Sequence, residues 1–210
     1  MRSTPLSLAW MVLAISTLAP YGLKTASADP GVEIRNFHKV VGEEGGPRLY
    51  RSGQPTYEGL KSLLRTKHLA ANQVTVISLH DKEKDIRREQ EDCNHLGINF
   101  QSRPVNHRAV QNKDYINGIL NLVDYEMSQG HTVLIHCWAG QDRTGLLIGL
   151  YRTQRQIGKW SPFAAWNEMI KYGFHTQFTT LWGHFNHENG LNWWEMLSTS
   201  DNCSKILSRH

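Results

Sequence analysis

Cysteine is scarce in this chain, with three in 210 residues, which excludes a small scaffold held together by disulfides. Long apolar runs are lacking too. Leu6 to Ala19 falls short of the 18 or so residues that a membrane-spanning helix needs, and no other run approaches it. Charge of one sign is not in excess: the formal net charge is +4, and the basic residues are mostly scattered. Arg103, His107, Arg108 and Lys113 form the only grouping, and the net charge is too small to imply a nucleic-acid partner by itself. Repeats and low-complexity linkers are also missing, which leaves no seam for a second domain.

What is present describes an ordinary globular domain, with 40% apolar residues, 20% charged residues and seven Trp. Residues 1–28 stand apart. Arg2 gives a positive start, an apolar stretch follows, and Ala26-Ser27-Ala28 offers a small-x-small cleavage site before Asp29. They are expected to be a secretory signal peptide, leaving 29–210 as a soluble mature domain, exported to a periplasm or secreted, with no stable membrane insertion. Loss of Arg2 and Lys24 would bring the net charge to +2. In an exported chain Cys93 and Cys203 could pair. Alternatively, Ile86, Cys93 and Leu96 fall on one helical face and make Cys93 a core residue.

Along the chain, Val32, Ile34, Phe37 and Val40 predict one or two edge strands, and Leu49 opens another short strand. Thr56 is placed to cap a helix bearing Leu60, Leu63 and Leu64 that ends near His68. Val74–Leu79 is a continuous apolar run suited to a strand covered on both faces. A polar helix over 85–95, stopped by Gly97, leads to a strand ending near Pro104. Asp114 is expected to cap a helix striped by Ile116, Ile119, Leu120, Val123 and Met127, with Gly130 closing it. Val133–Ile135 forms the last strand, 145–156 a helix, and Ser161-Pro162 opens another as N-cap and first-turn proline. The aromatic tail from Thr176, with Trp182, Trp193 and Trp194, is expected to add packed helices. The alternating order is that of an α/β fold, a central, mixed but largely parallel sheet flanked by helices. Loops 80–84, 106–113 and 137–143 then face one another at the carboxyl ends of the strands.

The sharpest signal is residues 132–145, where an apolar β-branched run feeds His136-Cys137-Trp138-Ala139-Gly140-Gln141-Asp142-Arg143-Thr144 and then a helix. Backbone N–H groups converging ahead of a helix N-terminus form an anion cradle and favour a thiolate at Cys137. Arg143 can bind two phosphate oxygens through its planar fork and follow their charge into the transition state. Gly140 permits a turn that a side chain would obstruct. Thr144 is placed to donate to the sulfur, and His136 to hold the loop by a hydrogen bond. The predicted phosphate-binding set is therefore Trp138, Ala139, Gly140, Gln141, Asp142 and Arg143, with Trp138 on the pocket floor or wall.

These residues resemble the cysteine-dependent tyrosine and dual-specificity phosphatases, whose His-Cys-x5-Arg-Ser/Thr signature is met by His136, Cys137, Arg143 and Thr144. Leu49-Tyr50-Arg51-Ser52-Gly53-Gln54-Pro55 also resembles a segment of the compact atypical dual-specificity members, including exported bacterial ones. The resemblance implies a phosphocysteine intermediate, no metal and no cofactor. It also implies a phosphorylated protein as substrate, on phosphotyrosine or with dual specificity, or else a small inositol polyphosphate. A weakly active phosphate-binding module is the alternative from another class, and sulfur or arsenate chemistry a third option. Such relatives carry an acid aspartate roughly thirty residues before the cysteine. Here that region reads Pro104-Val105-Asn106-His107, without a carboxylate. Asp142 is the substitute, as has been considered for the loop aspartate of myotubularin-type phosphatases, unless it merely braces Arg143 or the loop. Asp81 and Asp85 read as solvated loop charges, and His184 and His187 as packing or surface residues.

Overall fold

The computed structural model describes residues 31–176 and 179–189. Residues 1–28, expected to be a signal peptide, lie outside them, as do Cys203, Trp193 and Trp194. Five strands, β1 (His38–Val41), β2 (Leu49–Ser52), β3 (Val74–Ser78), β4 (Asn99–Ser102) and β5 (Thr132–His136), form one sheet in the order β1-β2-β5-β3-β4. Only β1 runs antiparallel to its neighbour β2; the other pairings are parallel. The sheet is mixed and largely parallel, as the alternating order requires.

β3 and β5 are buried along their whole length, which explains their largely apolar sequences. Successive side chains face opposite layers. Val133 and Ile135 pack with α4 (Lys113–Ser128), α5 (Asp142–Arg155), α6 (Pro162–Lys171) and α7 (Thr179–Glu188). Leu134 and Val76 pack with α1 (Tyr57–Lys67) and α2 (Glu83–Leu96). Cys93 is a buried free thiol in this second layer. Burial, reinforced by Glu89 and Asp92, pushes it up to about 12. Among the described residues, no helix is long and apolar enough to cross a membrane.

Local chemistry sets most boundaries. Thr56 accepts from the Gly59 N–H, and His68 closes α1 in the left-handed conformation. Ser161 caps α6 ahead of Pro162. Four expectations shift. Val32, Ile34 and Phe37 are buried but irregular, because Asn36 takes φ +52 and breaks the strand. Asn112, not Asp114, caps α4, its side chain accepting from the Tyr115 N–H. The expected loop 106–113 contains a short helix, α3 (His107–Gln111). Finally, α5 starts at Asp142 rather than Gly145, since the Gly145 N–H already bonds the Gln141 carbonyl at 2.8 Å.

Candidate active site

In the parallel register Ser52 and Ser78 both lie opposite His136, so three adjacent strands end together and the chain leaves the sheet at Cys137. The turn that follows is shaped by partners from far away in sequence. The Trp138 carbonyl accepts from the Arg35 guanidinium and from the Gln54 N–H at 3.1 Å. The Asn36 amide donates to the Gly140 carbonyl at 2.9 Å and, more weakly, to that of Ala139 at 3.4 Å. Arg51 Nη2 donates to the Gly140 carbonyl at 2.6 Å, and His136 Nδ1 lies 3.3 Å from the Cys137 carbonyl. Every carbonyl from 137 to 140 is thus held by a donor. In a trans peptide the next residue's N–H points the opposite way, so the N–H groups of Trp138, Ala139, Gly140 and Gln141 turn away from these pins to form the anion cradle.

Gly140 is required here. It has φ +71, and a Cβ at this position would lie 2.4 Å from the Ser52 carbonyl carbon and oxygen and 2.5 Å from the Gly53 nitrogen. Beneath the turn Arg51 is almost fully buried, with the Tyr172 ring 4.6 Å from its Cζ. Burial pulls its guanidinium down to about 10, against the upward pull of Glu168, Cys137 and Tyr172. It remains charged at neutrality.

A cavity of about 270 Å³ opens over the turn and brings together Cys137, Trp138, Ala139, Asp142 and Arg143 from the predicted set. Gly140 and Gln141 do not line it and can contribute only backbone; the Gln141 side chain lies toward Gly173 instead. Trp138 is 57% exposed and forms the rim, with Arg35 and Lys82 each within 6 Å of its ring. Val105, Asn106, Val110 and Leu181 supply the facing wall. Arg103 and Lys113 are not part of that wall: Arg103 bonds the Ser102 carbonyl and Lys113 pairs with Glu188. The side chains of His107, Arg108 and Trp182 lie outside the described residues.

Several site expectations need correction. Arg143 is braced by Asp81 at 2.9 Å and by the Leu79 carbonyl at 3.3 Å, not by Asp142. Asp81 is therefore more than a solvated charge. Its partial burial would raise the carboxyl, but the Arg143 bond and charge outweigh that and hold it below its ordinary value. Asp142 instead accepts from the His175 N–H at 2.8 Å, with the His175 ring 3.1 and 3.2 Å from its two oxygens. The Thr144 hydroxyl is buried and makes no hydrogen bond, so the expected donation to the sulfur is not seen. Asp85 lies 3.7 Å from His80, whose imidazole burial pushes down despite that carboxylate. Among the described residues, no group of His, Cys, Asp and Glu could hold a metal ion.

Sequence reasoning missed Arg35, Asn36 and Glu89. Glu89 lies three residues after Ile86 and four before Cys93, on the same helical face, so the apolar stripe itself marked it as buried.

Solved structures share this architecture. P. aeruginosa TpbA superposes with a TM-score of 0.59 at 22% identity, over 81% of this chain and 91% of that one; it has also been crystallised as a cysteine-to-serine variant in complex with pTyr. The core catalytic domain of the PP-IP phosphatase SIW14 from S. cerevisiae gives 0.54 at 22%, over 75% and 87%. A putative phosphatase from Shewanella putrefaciens gives 0.53 at 18%, over 75% and 95%. No curated protein sequence matches. The family model does: residues 32–185 match the tyrosine phosphatase family, so the chain belongs to that family and is a cysteine-dependent phosphatase.

Proposed function

We propose that the chain hydrolyses phosphoprotein, phosphotyrosine above all, through a phosphocysteine intermediate. The observation that carries this reading is the wall of the cavity. Val105, Val110, Leu181 and Trp138 offer apolar surface for an aromatic ring, and Arg143 is the one cation among the described residues that line the cavity. A polyphosphorylated inositol ring calls for several cations around it, which makes it the weaker substrate class even though SIW14 is a PP-IP phosphatase. The TpbA complex with pTyr supports the aromatic choice.

In this mechanism the Cys137 thiolate attacks phosphorus as the phosphorus–oxygen bond to tyrosine breaks. The cradle N–H groups and Arg143 hold the three non-bridging oxygens. Asp142 gives its proton to the departing phenolate, then takes one from the water that attacks the phosphocysteine, releasing inorganic phosphate and the thiolate. Of the two cavity carboxylates, Asp81 is held ionised by Arg143 and is unsuited to donate. Asp142 lines the same cavity free of Arg143, its carboxylate held in place by the His175 N–H at 2.8 Å.

The test is phosphate release from phosphotyrosine, phosphoserine and inositol phosphate substrates by wild type and Cys137→Ser. Cysteine-dependent turnover greatest on phosphotyrosine is expected. Preference for an inositol phosphate would overturn the substrate, and absence of cysteine-dependent turnover would leave a phosphate-binding module. The proposal includes export: residues 1–28 act as a cleaved leader, and the mature protein from an exporting host should begin at Asp29 by N-terminal sequencing.

A further inference from the structure

Directly behind the nucleophile lies a buried polar triad that the chemistry above does not use. His136 Nε2 is 2.6 Å from Glu89 Oε1, poorly aligned for a hydrogen bond but within ion-pair distance, and both side chains are almost wholly buried. The other Glu89 oxygen accepts from Ser78 Oγ at 3.2 Å. The second ring nitrogen, Nδ1, faces the Cys137 carbonyl at 3.3 Å. Both imidazole nitrogens therefore face oxygens, neither of which can donate unless Glu89 is protonated.

The hydrogen-bond inventory leaves two arrangements: a doubly protonated ring against a carboxylate, or a singly protonated ring against a carboxylic acid. In both, the pair stores one proton that neither partner can release alone without leaving a buried charge uncompensated. In the first arrangement the positive ring lies nearer the nucleophile than the carboxylate does, and its field favours the thiolate.

We propose that Glu89 is a positioning residue for the phosphatase site, holding a protonated His136 behind Cys137 so that the ring both pins the first cradle carbonyl and supplies positive charge to the thiolate. The inference rests on Cys137 being the nucleophile, but its test does not need a substrate. The other charged groups around the thiol are Arg143 and Asp142 on α5, Asp81 beyond β3, and Arg51 on β2. His80 also faces His136, and Cys93 shares the α2 face with Glu89. None of these changes in the variants below.

The experiment measures the rate of Cys137 alkylation by iodoacetamide against pH, read at that residue by mass spectrometry, in wild type and Glu89→Gln. The glutamine keeps the shape and can donate to Nε2, leaving Nδ1–H on the Cys137 carbonyl but no charge on the ring. A midpoint displaced upward, with alkylation in the acidic limb slowed roughly tenfold, is expected. A midpoint equal to wild type in a folded variant would overturn the proposal. Should Glu89→Gln not fold, Ser78→Ala frees one Glu89 oxygen without removing charge: a smaller displacement upward supports the role, and none overturns it. If the displacement occurs while no substrate is hydrolysed, the positioning role stands and the phosphatase reading falls.

Discussion

Arg51 supports the Gly140 carbonyl from below across 2.6 Å, with its Nε and Nη1 otherwise without hydrogen-bond partners. A buried cation so sparsely bonded contributes little to stability, since its desolvation offsets its contacts. Its value is in holding the turn. Arg51→Met should therefore leave the melting temperature within a few degrees of wild type while kcat/KM falls by about 10². A variant that melts early but turns over normally while folded would contradict this division.

Gly140→Ala should lose activity on a similar scale, because its methyl group would enter the Ser52–Gly53 peptide and its φ is positive. Gly118 in α4 provides the control. Nothing lies within 4 Å of a Cβ there, so Gly118→Ala should be neutral in activity and more stable by about 0.5–1 kcal/mol. Thermal melts and steady-state kinetics on both variants check the pair.

For Asp142→Asn, leaving-group dependence is diagnostic. Hydrolysis of phenyl phosphate should fall by about 10²–10⁴, while p-nitrophenyl phosphate, whose phenolate needs no proton, should be affected much less. Equal losses on both would assign Asp142 to structure alone.

The Asp81–Arg143 pair makes a pH-dependent contribution. The folded carboxyl titrates below its unfolded value, so the pair stabilises the fold above the ordinary carboxylate range, and that stabilisation disappears as pH falls through the folded value. With the Asp81 side chain 36% exposed, screening limits it to less than about 1 kcal/mol. The melting-temperature gap between wild type and Asp81→Asn should be small at pH 6 and close as the protein is acidified. A gap that widens in acid would refute the assignment.

Away from the cavity, Arg152 forms a two-pronged pair with Glu168 at 2.9 and 2.7 Å and also holds the Val40 carbonyl. Glu168→Ala leaves a buried guanidinium without its carboxylate and should cost about 3–5 kcal/mol. Denaturant unfolding measures this directly.

How much of this was legible follows from the range of each interaction. β3 and β5 could be read because strands buried on both faces are largely apolar, and Thr56 and Ser161 because a cap acts within three residues. Cys137 and Arg143 share one short loop, so their spacing alone placed them together, and both line the cavity. Asn36 was hidden inside an alternation that resembled a strand; its backbone conformation breaks that strand and aims its amide at the turn. The start of α5 was set too late because Asp142 and Arg143 look like loop residues until the helix claims their backbone. Asp81 was misjudged because its partner lies 62 positions onward.

The pins on the turn bear on how the protein is made. Arg35 and Trp138, and Asn36 and Gly140, are separated by 103 and 104 positions, so closing these loops belongs to the slow, non-local part of folding. Synthesis from the N-terminus nevertheless produces the mould before the segment it shapes. When His136–Thr144 leave the ribosome, the residues that impose their conformation have already been translated, and the reactive thiol emerges into a chain already able to enclose it.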